Sequence, residues 1–294
     1  MAEYVIFTDA GADLSAQLCA RYDIRGIPMN YLLGGESQTF RPEDPQRSQL
    51  CAAFYDGLRT RVDVSTSQIT PFTFEEAFLP VLEAGQDILY CCFSSGLSST
   101  WQNLQVTAAE LRERFPERTL CCVDSRSAAG GQGLFAIQAA VNREKGMSIA
   151  DNARWMEEHA MQVCHWFIVD DLDFLKRGGR VSPTVAFLGG KLQIKPLLVI
   201  GDDGKLVVKE KIRGRKAAMA RLVQLYTQHL DFGDAEPMVM VGHAGSPVDG
   251  EALAEQVRSA SPEGTQVLLT ELSPIIGAHT GPDMLFICHF GTHR

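Results

Sequence analysis

The sequence lacks any apolar run of the roughly 20 residues needed to span a bilayer, and no charged stretch followed by an apolar one opens it. We therefore expect neither a transmembrane helix nor a signal peptide, and we expect the protein in the cytoplasm. An excess of basic residues is also missing, because 27 lysines and arginines face 36 aspartates and glutamates, giving a net charge of −9. A chain of this charge is a poor candidate for binding nucleic acid.

Motifs for metal and nucleotide binding are absent as well. Four of the eight cysteines form the adjacent pairs Cys91 with Cys92 and Cys121 with Cys122 inside apolar runs, and no C-x-x-C occurs. This arrangement predicts reduced cysteines that pack as small apolar side chains, and no metal site. No G-x-x-x-x-G-K-[ST] loop occurs either, so the sequence disfavours nucleotide binding by this chain.

The chain does contain enough apolar residues for folded cores. A length of 294 residues with 45% hydrophobic content favours two domains. Short apolar runs alternate with helical patterns in the first half, which is typical of βαβ units and a parallel sheet. Beyond about residue 150, glycine pairs and a hairpin pattern across residues 201–204 change that alternation. We expect an α/β protein with a parallel-sheet domain over residues 1–150 and a mixed α+β domain over residues 151–294.

Several elements can be predicted individually. Residues 87–93 are continuously apolar after Asp87, which is typical of a parallel strand covered on both faces. Residues 27–33 are predicted as one strand at an edge or leading into a hairpin, because they contain Pro28 and are followed by two glycines. Thr70 followed by Pro71 predicts the start of a helix.

Short polar side chains follow the predicted strands of the parallel sheet, at the edge where open sheets bind ligands. The serine loop, residues 94–100 (S-S-G-L-S-S-T), leads into a helix, so its hydroxyls and free backbone N–H groups favour an anion. Capping of that helix by Ser98 or Ser99 accounts for the same residues equally well. A second hydroxyl cluster at residues 65–68 indicates, by itself, a turn more often than a site.

Two basic segments and one histidine stand out in the second half. Residues 175–181 place three cations around a glycine pair, which alone indicates a solvated turn. Residues 209–216 hold five cations in an acidic protein, a contrast typical of a surface that docks an acidic partner or a phosphate. His279 lies in a short segment bounded by Gly277 and Gly281 that is suited to carry it to a site.

In this order and spacing, seven segments resemble the motifs of the DegV family of fatty-acid-binding proteins over essentially the whole chain. They are F-T-D at 7–9, T-S-Q at 66–68, S-S-G-L-S at 94–98, V-D-S at 123–125, L-K-R-G-G-R at 175–180, the hairpin with Arg213 after it, and A-H-T-G at 278–281. The resemblance implies a two-domain α/β protein that buries one long-chain fatty acid. It further implies a separate ATP-dependent kinase as partner and no cofactor, and it is compatible with transient membrane contact.

The resemblance also implies roles for individual residues. Thr66 and Ser98 match the residues whose hydroxyls bind the carboxylate of the fatty acid. Arg213 matches an arginine that docks the kinase. The expected polar network around the carboxylate consists of His279, Arg180, Ser95 and Gly96.

Two alternatives stay open at this point. Ser98, His279 and either Asp124 or Asp9 are the residue types of a serine hydrolase, although the serine loop is not G-x-S-x-G. The other alternative is a regulatory module that senses a lipid without passing it to a kinase. The sequence does not separate this module from a carrier.

Overall fold

The computed structural model describes residues 4–60, 62–170, 172–181, 193–292 and 294. Within them the strands are β1 (Tyr4–Asp9), β2 (Ile24–Ile27), β3 (Met29–Leu33), β4 (Glu36–Phe40), β5 (Val64–Thr66), β6 (Asp87–Cys92), β7 (Leu120–Asp124), β8 (Val163–Ile168), β9 (Ile194–Ile200), β10 (Leu206–Arg213), β11 (Met238–His243), β12 (Gln266–Glu271) and β13 (Leu285–Phe290). The helices are α1 (Ala16–Tyr22), α2 (Arg47–Arg59), α3 (Pro71–Glu83), α4 (Thr100–Arg114), α5 (Ala129–Glu144), α6 (Ile149–His159), α7 (Asp173–Arg177), α8 (Arg215–His229), α9 (Pro247–Ala260) and α10 (Pro274–Thr280).

The first half of the chain forms the expected parallel sheet, with strand order β2-β1-β6-β7. Strand β6 is an inner strand and is buried at every residue after Asp87. This burial explains why residues 88–92 are uniformly apolar, since helices cover both faces of a parallel sheet. Helix α3 begins at Pro71 as predicted, and the Thr70 hydroxyl accepts a hydrogen bond from the Thr73 N–H at 3.3 Å.

The second half of the chain forms a six-stranded mixed sheet of order β10-β9-β8-β13-β11-β12. Its neighbouring strands are antiparallel except for the parallel pair β11 and β12. Strands β9 and β10 form the predicted hairpin. The α/β fold class, with a parallel sheet followed by a mixed one, is therefore confirmed.

A small antiparallel sheet of order β4-β3-β5 departs from the prediction. The single strand predicted over residues 27–33 is two strands, β2 in the parallel sheet and β3 in the small one, and Pro28 separates them. Proline has no N–H for a sheet ladder, so the chain changes sheets there. The turn predicted at residues 65–68 is wrong in part, because Thr66 belongs to β5 and pairs with Tyr31.

Helix α5 lies between the two larger sheets. Every residue from Ala129 to Asn142 is buried, and the helix packs against β1 and β6 on one side and β8, β11 and β13 on the other. Since this helix of the first half packs against both sheets, a domain boundary at about residue 150 stays a prediction. In the described ranges, no helix is both long and apolar enough to cross a membrane.

All eight cysteines lie in the described ranges, and none of them forms a disulfide bond there. Six of them are buried, and the adjacent Cys91 and Cys92 lie inside strand β6. Burial raises the pKa of Cys51 to about 12, so this thiol stays protonated and unreactive at neutral pH.

Candidate functional site

A cavity of about 430 Å³ is lined by residues from both halves of the chain. Its volume is within the roughly 300 to 1,000 Å³ typical of small-molecule sites. Most of the wall is apolar, with side chains that include Met29, Phe93, Leu97, Phe167, Ile200, Leu206, Ile275, Ile276, Met284 and Phe286. Such a wall favours a ligand that is mainly hydrocarbon.

Three of the polar side chains in the cavity wall come from separate parts of the chain. Thr66 ends strand β5, Ser98 lies in the serine loop after β6, and His279 lies on α10. The Thr66 Oγ1 is 2.7 Å from the His279 Nε2, although 213 residues separate the two along the chain. The Ser98 Oγ is 3.0 Å from the Thr100 Oγ1 and accepts a hydrogen bond from the Thr100 N–H at 3.2 Å. The structure therefore brings both predicted carboxylate ligands and His279 to one cavity.

The surroundings of His279 keep its imidazole neutral. Burial, with a smaller contribution from the charge of Arg180, lowers the pKa of His279 to about 4. The Cα of Gly178 packs against the imidazole Nδ1, where any Cβ would collide with the ring. Among the described residues the Nδ1 has no hydrogen-bond partner.

The unpartnered Nδ1 favours one tautomer of the neutral ring. A buried N–H without an acceptor costs more than a buried lone pair without a donor, so we place the proton on Nε2. The Nε2–H then donates to the Thr66 Oγ1 across the 2.7 Å contact. Because the Thr66 oxygen accepts this bond, its own hydroxyl proton stays available to donate to a ligand oxygen.

The depressed pKa of His279 predicts a pH dependence of stability. The folded state holds this ring neutral down to about pH 4, whereas the unfolded chain protonates it near 6.5. Stability is therefore present above pH 6.5 and is lost as the pH falls towards 4. We expect delipidated wild type to lose stability relative to His279→Gln across this window in chemical denaturation. The carboxylates titrate in both proteins and cancel in the difference, so a difference that stays constant from pH 7 to 4 would contradict the assignment.

Arg180 fixes the serine loop to the turn after α7. Its Nε donates to the Leu97 carbonyl at 3.2 Å, and its Nη1 donates to the Gly178 carbonyl. The guanidinium is half-buried and lines the cavity, and burial lowers its pKa. Arg180 thus connects Gly178, which packs against His279, to Leu97, which precedes Ser98.

Ser95 and Gly96 lie in the same loop but do not line the cavity. The Ser95 N–H donates to the Asp124 carboxylate at 3.2 Å. Gly96 packs against the hairpin turn, where a Cβ would lie 2.6 Å from the Asp203 carbonyl oxygen. Their place in the polar network stays a prediction, and their contacts indicate that they shape the loop.

Arg213 lies away from the cavity, at the end of the edge strand β10. Exposed and half-buried residues alternate along this strand, which places Lys209, Lys211 and Arg213 on its exposed side. Arg213 also borders a surface depression together with Lys195 and Lys216. We call Lys209, Lys211, Arg213 and Lys216 the basic row.

The contacts of the site do not support a serine hydrolase. The His279 Nε2 pairs with the Thr66 hydroxyl and its Nδ1 has no hydrogen-bond partner among the described residues, so no hydrogen bond to Ser98 is formed there. The Asp124 carboxylate accepts from the backbone of Ser95 and forms an ion pair with Arg126, at 3.1 Å between the Arg126 Nε and the Asp124 Oδ2. The buried Asp9 accepts from Tyr90 and Gln132. In the part of the chain that the structure describes, no linked serine, histidine and carboxylate is formed.

The described residues also give no indication of a metal site. The described ranges contain no group of three or more histidine, cysteine or acidic side chains placed to hold a metal ion. We expect elemental analysis of the purified protein to find no stoichiometric zinc, because the His279 Nε2 is hydrogen-bonded to the Thr66 hydroxyl. About one zinc per chain would contradict this prediction.

The cavity wall formed by the six-stranded sheet was missed from the sequence. His165 and Phe167 on β8 lie beside Cys288 and Phe286 on β13, and all four line the cavity. Both strands are buried on both faces, so their apolar sequences do not reveal which side chains face the cavity.

Comparisons with known proteins agree with this geometry. Residues 3–291 match the model of a family described as uncharacterised protein, DegV family. A DegV domain-containing protein of Clostridium perfringens is 36% identical over 293 residues, which are 99% of this chain and 98% of the relative. A Streptomyces coelicolor relative of the same description is 32% identical over 281 residues, which are 95% of each chain.

Two solved structures share the fold. A fatty-acid-binding DegV family protein from Thermus thermophilus has a TM-score of 0.84 at 25% identity, covering 98% of this chain and 99% of that one. DegV from Bacillus subtilis, described as a fatty acid binding protein, has a TM-score of 0.81 at 27% identity over the same shares of the two chains. On the evidence of sequence and fold over nearly its whole length, the chain belongs to the DegV family.

Proposed function

We propose that this protein binds one long-chain fatty acid in the cavity, with the carboxylate hydrogen-bonded to the hydroxyls of Thr66 and Ser98. The observation that carries the proposal is an apolar cavity whose wall presents these two hydroxyls beside a neutral histidine. Fatty acid binding by the Thermus thermophilus and Bacillus subtilis relatives supports it.

The energetics favour an acyl chain as the ligand. Burying each methylene contributes about 0.8 kcal/mol, so a long chain gains on the order of 10 kcal/mol before the costs of binding. The head group then needs only to have its hydrogen bonds satisfied. Neutral hydroxyl donors do this without a permanent ion pair. The Arg180 guanidinium already donates hydrogen bonds to two backbone carbonyl groups.

Calorimetric titration of the delipidated protein tests this proposal. Palmitic acid is expected to bind at one molecule per chain. Octanoic acid serves as the control, because it has the same head group and buries about eight methylenes fewer, each worth about 0.8 kcal/mol. Equal affinity for the two acids, or no binding of palmitic acid, would overturn the proposal.

The finer part of the proposal is that the bound acid is the substrate of a separate ATP-dependent kinase. A carboxylate oxygen attacks the γ-phosphorus of ATP, the bond to the bridging oxygen breaks, and acyl phosphate and ADP are formed. The sequence contains no G-x-x-x-x-G-K-[ST] loop, which disfavours nucleotide binding by this chain and favours a nucleotide carried by the partner. The basic row gives an acidic partner a docking surface on a protein of net charge −9.

A further inference from the structure

The first turn of the buried helix α5 packs directly onto the sheet side of the cavity. Two glycines, Gly130 and Gly131, occupy this turn, next to the cavity-lining Ala128 and Ala129. A Cβ on Gly130 would lie 2.5 Å from the Cε2 of Phe286 and 2.9 Å from the Cγ of Met240. No carbon side chain is therefore accommodated at this position unless the Phe286 ring moves and Met240 adjusts.

Phe286 occupies a slot between two glycines. Gly130 lies against one edge of its ring and Gly242 on β11 against another, and a Cβ on either would collide with it. The ring is almost completely buried, at 1% exposure, and it lines the cavity. Since the interior on the glycine sides is closely packed, the space open to a displaced ring is the cavity itself.

His165 is positioned in the same way by Gly131. A Cβ on Gly131 would overlap the imidazole at Nε2. On the other side of the ring, the Nδ1 is 3.0 Å from the Val163 carbonyl oxygen, which fixes its orientation on β8. His165 also lines the cavity, opposite Cys288 on the neighbouring strand.

From these contacts we infer that Gly130 and Gly131 set the length of the acyl chain that the cavity accepts, by holding Phe286 and His165 out of its interior. The inference rests on the proposed fatty acid binding. It assigns a specificity role to residues that are not among those lining the cavity. A methyl group at either glycine moves an aromatic ring into space that the acyl chain would fill.

Competition among acids of different length tests the inference. The delipidated protein is offered an equimolar mixture of myristic, palmitic and stearic acids, and native mass spectrometry reports which ones are retained. Each methylene that can no longer be buried in the cavity lowers the affinity about fourfold. Gly131→Ala is expected to lower the ratio of stearic to myristic acid by at least about fifteenfold relative to wild type, since two or more methylenes are displaced. The Gly131→Ala/His165→Ala double variant is expected to restore the ratio.

Gly133→Ala provides the matched control. It lies on the same helix, and its Cβ would lie 2.6 Å from the Ala12 carbonyl oxygen, so it imposes a comparable strain away from the cavity. This variant is expected to retain the wild-type profile. The same profile for Gly131→Ala and Gly133→Ala would overturn the inference, as would an equal loss of all three acids in Gly131→Ala.

If Gly131→Ala does not fold, the His165→Ala variant provides a second test. His165→Ala alone enlarges the same wall and is expected to shift retention towards stearic acid, and an unchanged profile overturns the inference. Failure of the proposed function looks different, because wild type would then retain none of the three acids. Retention by wild type with no change in any variant removes only the role of the two glycines.

Discussion

The Thr66→Ala/Ser98→Ala double variant is expected to lose at least about thirtyfold in fatty acid affinity, because each buried donor removed costs about 1 to 3 kcal/mol. Both hydroxyls lie on the cavity wall, and Thr66 is oriented by His279 at 2.7 Å. Without them the carboxylate loses the two hydroxyl donors that replace its hydrogen bonds to water. The measurement is calorimetric titration of delipidated protein with palmitic acid.

Conservative variants separate loss of the hydroxyl from loss of the fold. Thr66→Ser keeps the donor and is expected to bind near wild-type affinity, whereas Thr66→Val keeps the shape and is expected to bind like Thr66→Ala. Without ligand, Thr66→Val and Thr66→Ala are expected to be destabilised to a similar extent in thermal unfolding, because both remove the acceptor of the His279 Nε2–H, whereas Thr66→Ser keeps it. If the double variant still takes up one palmitic acid per chain at wild-type affinity, Thr66 and Ser98 are not the carboxylate ligands.

Arg213→Ala is expected to leave fatty acid occupancy unchanged and to lower acyl-phosphate formation by roughly thirtyfold, the loss of about 2 kcal/mol typical of an interface hot spot. Arg213 is exposed at the end of β10 and does not line the cavity. Salt is expected to slow transfer by both wild type and variant and to reduce the fold difference between them, because it screens Arg213 as well as the remaining cations of the basic row. The assay pairs the loaded protein with its cognate kinase and ATP, and it follows acyl phosphate and bound acid separately.

Arg154→Ala is the matched control for charge. Arg154 is exposed on α6 and pairs with Asp151 of the same helix, so its removal changes the net charge equally without touching the basic row. Loss of binding and transfer together in Arg213→Ala would assign this residue to the lipid site or the fold. Full transfer in Arg213→Ala would exclude the docking role and favour the lipid-sensing alternative.

The parallel sheet was predictable because its signals are local. Strand β6 is covered on both faces, so burial selects apolar residues continuously over 88–92. The start of α3 was equally clear, since Thr70 and Pro71 satisfy the needs of a helix start within the segment itself. Both predictions depended on chemistry within about ten residues.

The small antiparallel sheet was not predictable in the same way. Strand β4 has the sequence E-S-Q-T-F and is mostly exposed, so neither apolar content nor alternation marks it. Strand β5 has three residues and exists because Thr66 pairs with Tyr31, a partner supplied by the tertiary fold. Its hydroxyl cluster therefore looked like a turn.

The site also combines residues that local sequence points to with contacts that only the tertiary fold creates. Ser98 followed a predicted strand, but its residue pattern fitted a helix cap equally well, and only the resemblance to the DegV family assigned it to a carboxylate. The contact between Thr66 and His279 joins residues 213 positions apart, which no local pattern contains. His165 and Phe286 were missed because strands buried on both faces give no sign of the side that meets a cavity.

Native mass spectrometry of the purified chain tests the central claim most directly. The account predicts a mass increase of one intact long-chain fatty acid per chain, and complete loss of this mass on denaturation, because the acid is held by burial and hydrogen bonds. A chain that takes up no fatty acid even when one is offered would contradict the account. An acyl mass that survives denaturation would also contradict the account. It would indicate a covalent bond to the protein, as expected if Ser98 were the nucleophile of a serine hydrolase.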